Sequence, residues 1–91
     1  MNAAEVVNFL KGLRGVAFSG VYEKSLFECD RTKRNGNVQK VTVAILDAGP
    51  EGGQTRYHCF AQADDGANAT GNPAGTIESV LATVHWGDLD R

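Results

Sequence analysis

Residues 38–48 read Val38-Gln39-Lys40-Val41-Thr42-Val43-Ala44-Ile45-Leu46-Asp47-Ala48, and Gly49-Pro50-Glu51-Gly52-Gly53 closes them. This is the longest apolar, β-branched run in the chain. Val, Thr and Ile lose side-chain freedom in a helix and pack well on a pleated surface, so the run predicts a strand. Alternation sends Val41, Val43 and Ile45 to one face and Thr42, Ala44 and Leu46 to the other. Neither set is strongly polar, the pattern of an inner strand covered on both sides.

Upstream of that run, Asp30 to Asn37 is rich in turn residues, and Asn35-Gly36 tolerates the positive φ that a hairpin needs. Val16 to Cys29 is expected to supply the preceding strand. Val16, Phe18 and Tyr22 share one parity and Val21, Phe27 and Cys29 the other, so it reads as one strand bulged near Gly20 or as two short ones. At the N-terminus, Asn2 and Glu5 have capping-box spacing, and Val6, Phe9, Leu10 and Leu13 form one helical stripe. These predict a helix over Ala3–Arg14 that stops at Gly15.

Downstream, Arg56 to Asp64 predicts another strand, with Tyr57, Cys59, Ala61 and Ala63 on a small-residue face that lets a helix sit close. Asp65 to Gly75 is expected to be a turn-rich connection. Thr76 then caps a helix carrying Ile77, Val80, Leu81 and Val84 at helical spacing, with Gly87 as its stop and Trp86 folded back over the core edge. The expected architecture is α+β in the order α-β-β-β-α, with a three- or four-stranded antiparallel meander and two short helices in one domain, 1–91. Leu10, Val43, Ile45, Val80 and Leu81 are its expected shared core.

Ninety-one residues suffice for one small domain whose stability margin is thin unless it associates. No apolar run approaches the roughly 20 residues of a membrane span. The N-terminus lacks the basic leader and apolar core of a secretion signal, so a cytoplasmic location is expected. The net charge is −2. Residues 1–40 carry seven Lys or Arg against four Asp or Glu, and residues 41–91 carry two against seven. In a folded domain these halves interleave, so the asymmetry alone does not define a surface.

Few residues suggest chemistry. Cys29, His58, Cys59 and His85 lack the paired spacings of zinc ligands, and adjacent His58 and Cys59 on a strand point to opposite faces. No metal and no cofactor are therefore expected. Cys59 with His85 is the one pairing that offers a nucleophile and a base, but no orienting third group is legible. The reading is accordingly non-enzymatic, with both thiols structural and reduced. Gly71 to Thr76 lacks the Lys of a phosphate loop and reads as an ordinary helix cap. Tyr57, His85 and Trp86 are the candidate lining of an aromatic ligand pocket. Arg31, Lys33, Arg34 and Lys40 are the candidate contacts for a nucleic-acid backbone, although a solvated turn is the preferred reading of them.

The helix-strand-strand-strand-helix order resembles the double-stranded RNA-binding domain. In that family, lysines at the start of the last helix hold phosphates. The matching stretch here, Gly71-Asn72-Pro73-Ala74-Gly75-Thr76-Ile77-Glu78, contains no Lys or Arg. That departure removes the main source of such affinity, so the resemblance implies the fold more than RNA binding. The segments ATGNP (residues 69–73) and VHWGDLD (residues 84–90) resemble the ends of small bacterial proteins encoded in mobile gene cassettes of integrons. That resemblance implies a bacterial, cytoplasmic accessory protein and no particular activity.

The function expected from these readings is a non-catalytic, self-associating binding module for a small molecule or a partner protein. A nucleic-acid-associated protein using residues 31–40 is the alternative. Two short helices can cover only one face of a sheet that is apolar on both. The other face, with Ala44, Leu46 and Phe60 and with Phe27 beside them, is therefore expected to meet a second copy in a homodimer; the alternative is that the helices split, one on each face, and the domain is monomeric.

Overall fold

Val38–Asp47 forms β2, the second strand of a four-stranded antiparallel meander whose strands lie in chain order. A computed structural model describes all residues of the chain, 1–91. The other strands are β1 (Glu23–Thr32), β3 (Tyr57–Ala63) and β4 (Asn68–Thr70). Helix α1 (Ala3–Lys11) precedes the sheet, and helix α2 (Ile77–Ala82) and a 3₁₀ turn (Trp86–Asp90) follow it. The class is α+β with the order α-β-β-β-β-α. The fourth strand lies at residues 68–70, inside the stretch expected to be a connection.

Residues 16–22 belong to no strand, so the two-parity problem in Val16–Cys29 resolves as one strand beginning at Glu23. Its ladder with β2 runs unbroken from Glu23 opposite Asp47 to Thr32 opposite Val38, with no bulge. The hairpin turn is therefore shorter than the composition suggests, Lys33 to Asn37, with Gly36 at φ 89°. Short-range turn chemistry marked its centre correctly; pairing with β2 extended the strand into it.

Strand register builds the two faces as rows. On one face Val41 lies beside Ala63, Val43 beside Ala61 and Ile45 beside Cys59, and all six are buried. Ala69, Val80, Val84 and Leu89 complete that core. The small side chains of β3 and β4 let α2 approach closely. Gly71 shows how closely, because a Cβ there would stand 2.6 Å from the Val80 carbonyl oxygen.

The C-terminus follows the expected path only in part. Thr76 caps α2, its Oγ1 accepting from the Ser79 N–H at 3.1 Å, but the helix ends at Ala82 rather than at Gly87. Gly87 lies inside the 3₁₀ turn, which seats Leu89 in the core at 0% exposure. Trp86, expected over the core edge, stays 37% exposed.

The N-terminus departs furthest from expectation. Asn2 caps α1, accepting from the Glu5 N–H at 2.8 Å. The helix nevertheless stops at Lys11, and none of its residues is buried. Leu10 is half-buried and lies outside the core that Val43, Ile45 and Val80 share, while Leu81 packs on that core's margin. Helix α1 leans on the end of the sheet near Glu23 and Asp47, with Lys11 3.8 Å from Glu51. Val6, Phe9 and Leu13 are left to solvent. The Cα radius of gyration is 15.5 Å, against about 12 Å for a compact chain of this length.

Candidate functional site: the open face of the sheet

Alternation sends Lys24, Leu26 and Glu28 of β1, Thr42, Ala44 and Leu46 of β2, and His58, Phe60 and Gln62 of β3 to the face that α2 does not cover. The register places Leu26 opposite Ala44, Ala44 opposite Phe60, and Phe60 opposite Thr70. Leu26, Ala44 and Phe60 thus form an apolar row across the sheet, with Leu46 in the next row. The row floors a shallow trough between Lys24 and Gln62. Leu26 is 60% exposed and Phe60 46%. Nothing within the chain covers Leu26 or Phe60.

Ala44, Leu46 and Phe60 therefore stand together on one open face, as their parity predicts. Phe27 does not join them. It pairs with Val43 on the core side, where α2 does not reach β1, and stays 52% exposed. Leu26 takes the open-face place instead. The strand therefore presents one large apolar residue to each side, which the split parity of residues 16–29 concealed.

The aromatic trio does not converge. Tyr57 begins β3 at the sheet end, half-buried, with the Arg56 guanidinium 4.9 Å over its ring. His85 and Trp86 stand at the start of the C-terminal turn, where the His85 N–H donates to the Thr70 carbonyl at 3.3 Å. None of the five principal hollows is lined by any of the three. One hollow lies instead between α1 and the sheet end, where Val7 and Asn8 line it with Asp47 and Arg56. Arg56 donates to both Asp47 carboxylate oxygens, at 2.7 and 3.0 Å, and holds that carboxyl below its usual range. The sheet-end wall of that hollow thus includes a satisfied ion pair.

The basic residues of the hairpin are largely committed to partners. Arg31 donates to Asp90, Lys33 to Asp65 at 3.1 Å, and Lys40 to Asp30 at 3.1 Å. The Lys33 side chain is only 13% exposed. Arg34 uses its backbone N–H on Asp90, and its guanidinium has no carboxylate within ion-pair distance. Local carboxylates drawn from distant parts of the chain neutralise what reads in sequence as a basic cluster.

Cys59 is sealed in the core, and burial pushes its thiol pKa up. A neutral thiol facing α2 is a poor nucleophile. Cys29 is exposed and the two thiols are unpaired. No three His, Cys, Asp or Glu side chains converge on a point where they would hold a metal ion. No helix is long and apolar enough to cross a membrane.

Comparison with protein-family models, with curated proteins and with solved structures returns no match to this chain.

Proposed function

We propose that the protein is a small non-catalytic binding module that works by self-association, with the open sheet face as its contact surface. The apolar row of Leu26, Ala44 and Phe60, backed by Leu46, carries this reading. Contiguous apolar surface of this kind on a folded domain marks a contact site. The amount of surface agrees. The chain exposes 6246 Å², whereas monomers of 9.7 kDa expose roughly 5100 Å² on the usual size scaling. The excess over the whole chain, on the order of 1100 Å², includes the unburied helix α1 as well as the open face and is comparable with the ~800 Å² each partner buries in a standard interface. A second copy is the simplest occupant, because most soluble oligomers are closed assemblies of one chain. The row is rimmed by Lys24, Thr42 and Gln62, with Glu28 on the same face, so both signs of charge are present for a face that meets itself. A reducing, cytoplasmic setting fits two free cysteines.

The nucleic-acid reading has less support, since three of the four hairpin cations already face carboxylates. Phosphates would have to displace those partners.

Sedimentation at micromolar concentration tests the self-association reading. A species at twice the 9.7 kDa chain mass or more is expected. Leu46→Glu should lower that mass while leaving the circular-dichroism spectrum unchanged. A wild-type chain that sediments at monomer mass would refute the reading.

A further inference from the structure

The two edges of the sheet are built differently. Strand β4 is three residues long and is overlain by the C-terminal 3₁₀ turn. Strand β1 is ten residues long, has no Pro, Gly or bulge, and is hydrogen-bonded on one side only. Long regular edges are sites where another strand adds, and natural proteins normally blunt them. Charge is the one such device on β1, which carries Glu23, Lys24, Glu28, Asp30 and Arg31.

The hydrogen-bond phase limits how a second strand can add. Lys33 donates its N–H to the Asn37 carbonyl at 2.8 Å, so the odd residues of β1 direct their backbone groups toward β2. The even residues, Lys24 to Thr32, direct theirs outward. A copy of β1 related by a two-fold axis must therefore pair even residues with even ones. Centred on Glu28, such a pairing sets Glu28 against itself and Leu26 against Asp30. Centred on Cys29, it sets Glu28 against Asp30. Centred on Leu26, it pairs Lys24 with Glu28 but uses fewer residues and leaves Phe27 opposite Ser25.

Centred on Phe27, the charges fit. Lys24 of each copy faces Asp30 of the other and Glu23 faces Arg31, adding to the Lys40–Asp30 and Arg31–Asp90 pairs within each chain, while Leu26 faces Glu28. The two Phe27 rings meet in a non-hydrogen-bonded pair, the closer of the two antiparallel spacings. This accounts for a Phe that is half-exposed on the core side of an edge strand.

We propose that β1 pairs with β1 of a second copy, antiparallel and centred on Phe27, to form one continuous eight-stranded sheet. The contact deepens the self-association reading by adding a second surface, and it doubles the open face into a continuous platform. Where both contacts form, the closed assembly is a tetramer.

Cross-linking reads the register directly. In the Phe27-centred pairing Ser25 lies opposite Cys29, in a non-hydrogen-bonded pair about 4.5 Å apart at Cα, within the span of a disulfide. Ser25→Cys in the full chain, treated with oxidised glutathione as the two-electron acceptor, should convert to a covalent dimer with two symmetric disulfides. Wild type and the Ser25→Cys/Cys29→Ser double variant should not. Glu23→Cys, which reads the Leu26-centred register, should not cross-link either. Independently, Lys24→Asp should weaken the edge contact at least tenfold, and adding Asp30→Lys should restore it. Absence of the Ser25→Cys dimer, or equal cross-linking by Glu23→Cys, would overturn the edge pairing. The open-face reading is scored separately, because Leu46→Glu leaves the cross-link intact and alters only the higher assembly.

Discussion

Arg31 and Asp90, 59 positions apart, meet in a two-pronged ion pair: the guanidinium donates to both carboxylate oxygens, at 2.8 and 3.1 Å. The Arg34 N–H adds a third bond to the same carboxylate at 3.0 Å. Beside them the buried Gln39 accepts from Arg31 and donates to the Leu89 carbonyl and to Asp65. The C-terminal turn, anchored on β4 by contact, is thus tied at its far end to the β1–β2 hairpin. Leu89 stays in the core because both ends of its turn are held.

This anchor makes folding acid-sensitive. Hydrogen bonding from Arg31, then from the Arg34 N–H, lowers the Asp90 carboxyl from 3.8 to about 2. Asp47 and Asp65 are lowered as well, by Arg56 and chiefly by the Ala67 N–H respectively. A carboxyl with a lower folded than unfolded pKa stabilises the native state above its unfolded value and loses that contribution as pH falls through the folded one. Urea midpoints should therefore hold from pH 7 to about pH 4 and drop steeply toward pH 2. Asp90→Asn should reduce the midpoint at neutral pH and flatten part of that drop. A wild-type midpoint unchanged between pH 5 and pH 2.5 would contradict the assignment.

Leu89→Ala and Ile45→Ala should each cost about 2–5 kcal/mol, the range for truncating a buried aliphatic side chain. Leu10→Ala should cost less than about 1 kcal/mol, because Leu10 lies outside the core cluster. Chemical denaturation of the three variants at one protein concentration orders them. A Leu10 effect as large as that of Ile45 would mean that α1 is core in the assembled protein.

Gly71→Ala should destabilise by roughly 1–3 kcal/mol, as small-to-large changes at close contacts do. The new Cβ would press on the Val80 carbonyl and on Thr83 Oγ1 and Val84 Cγ2, each about 3.0 Å or less away, and backbone cannot yield as a side chain does. Thermal melts suffice to measure it.

Arg34→Glu separates nucleic-acid contact from folding. Its side chain has no ion-pair partner, so the variant should melt near wild type; Arg31→Glu would set two acids side by side at Asp90 and should unfold more easily. Retention on immobilised polyanion at low salt, weakened by Arg34→Glu, would revive the nucleic-acid reading. No retention by wild type would close it.

Local signals in the chain held where a side chain bonds backbone a few residues away, and failed at the stops expected at Gly15 and Gly87, since the helices end earlier, at Lys11 and Ala82. Asn2 and Thr76 cap their helices because a short polar side chain reaches an N–H three residues on. Asn35-Gly36 turns because Gly36 accepts positive φ. Alternation in β2 and β3 placed Val41, Val43, Ile45, Cys59, Ala61 and Ala63 on one face and Ala44, Leu46 and Phe60 on the other, since a strand's period of two leaves no other arrangement. The amphipathic stripe of α1 was equally legible, but the stripe says only that a helix has an apolar side.

Which apolar side is buried, and against what, was decided in three dimensions. Helix α2 covers the small-residue face because Gly71 and the alanines of β3 and β4 let it approach, and that choice left the opposite face and Phe27 uncovered. The hairpin's basic cluster became a set of ion pairs only when Asp65 and Asp90 arrived from 32 to 59 positions away. Burial and charge neutralisation depend on such distant partners. A linear pattern records what each residue can do, and the closed chain determines which of its possible partners is within reach.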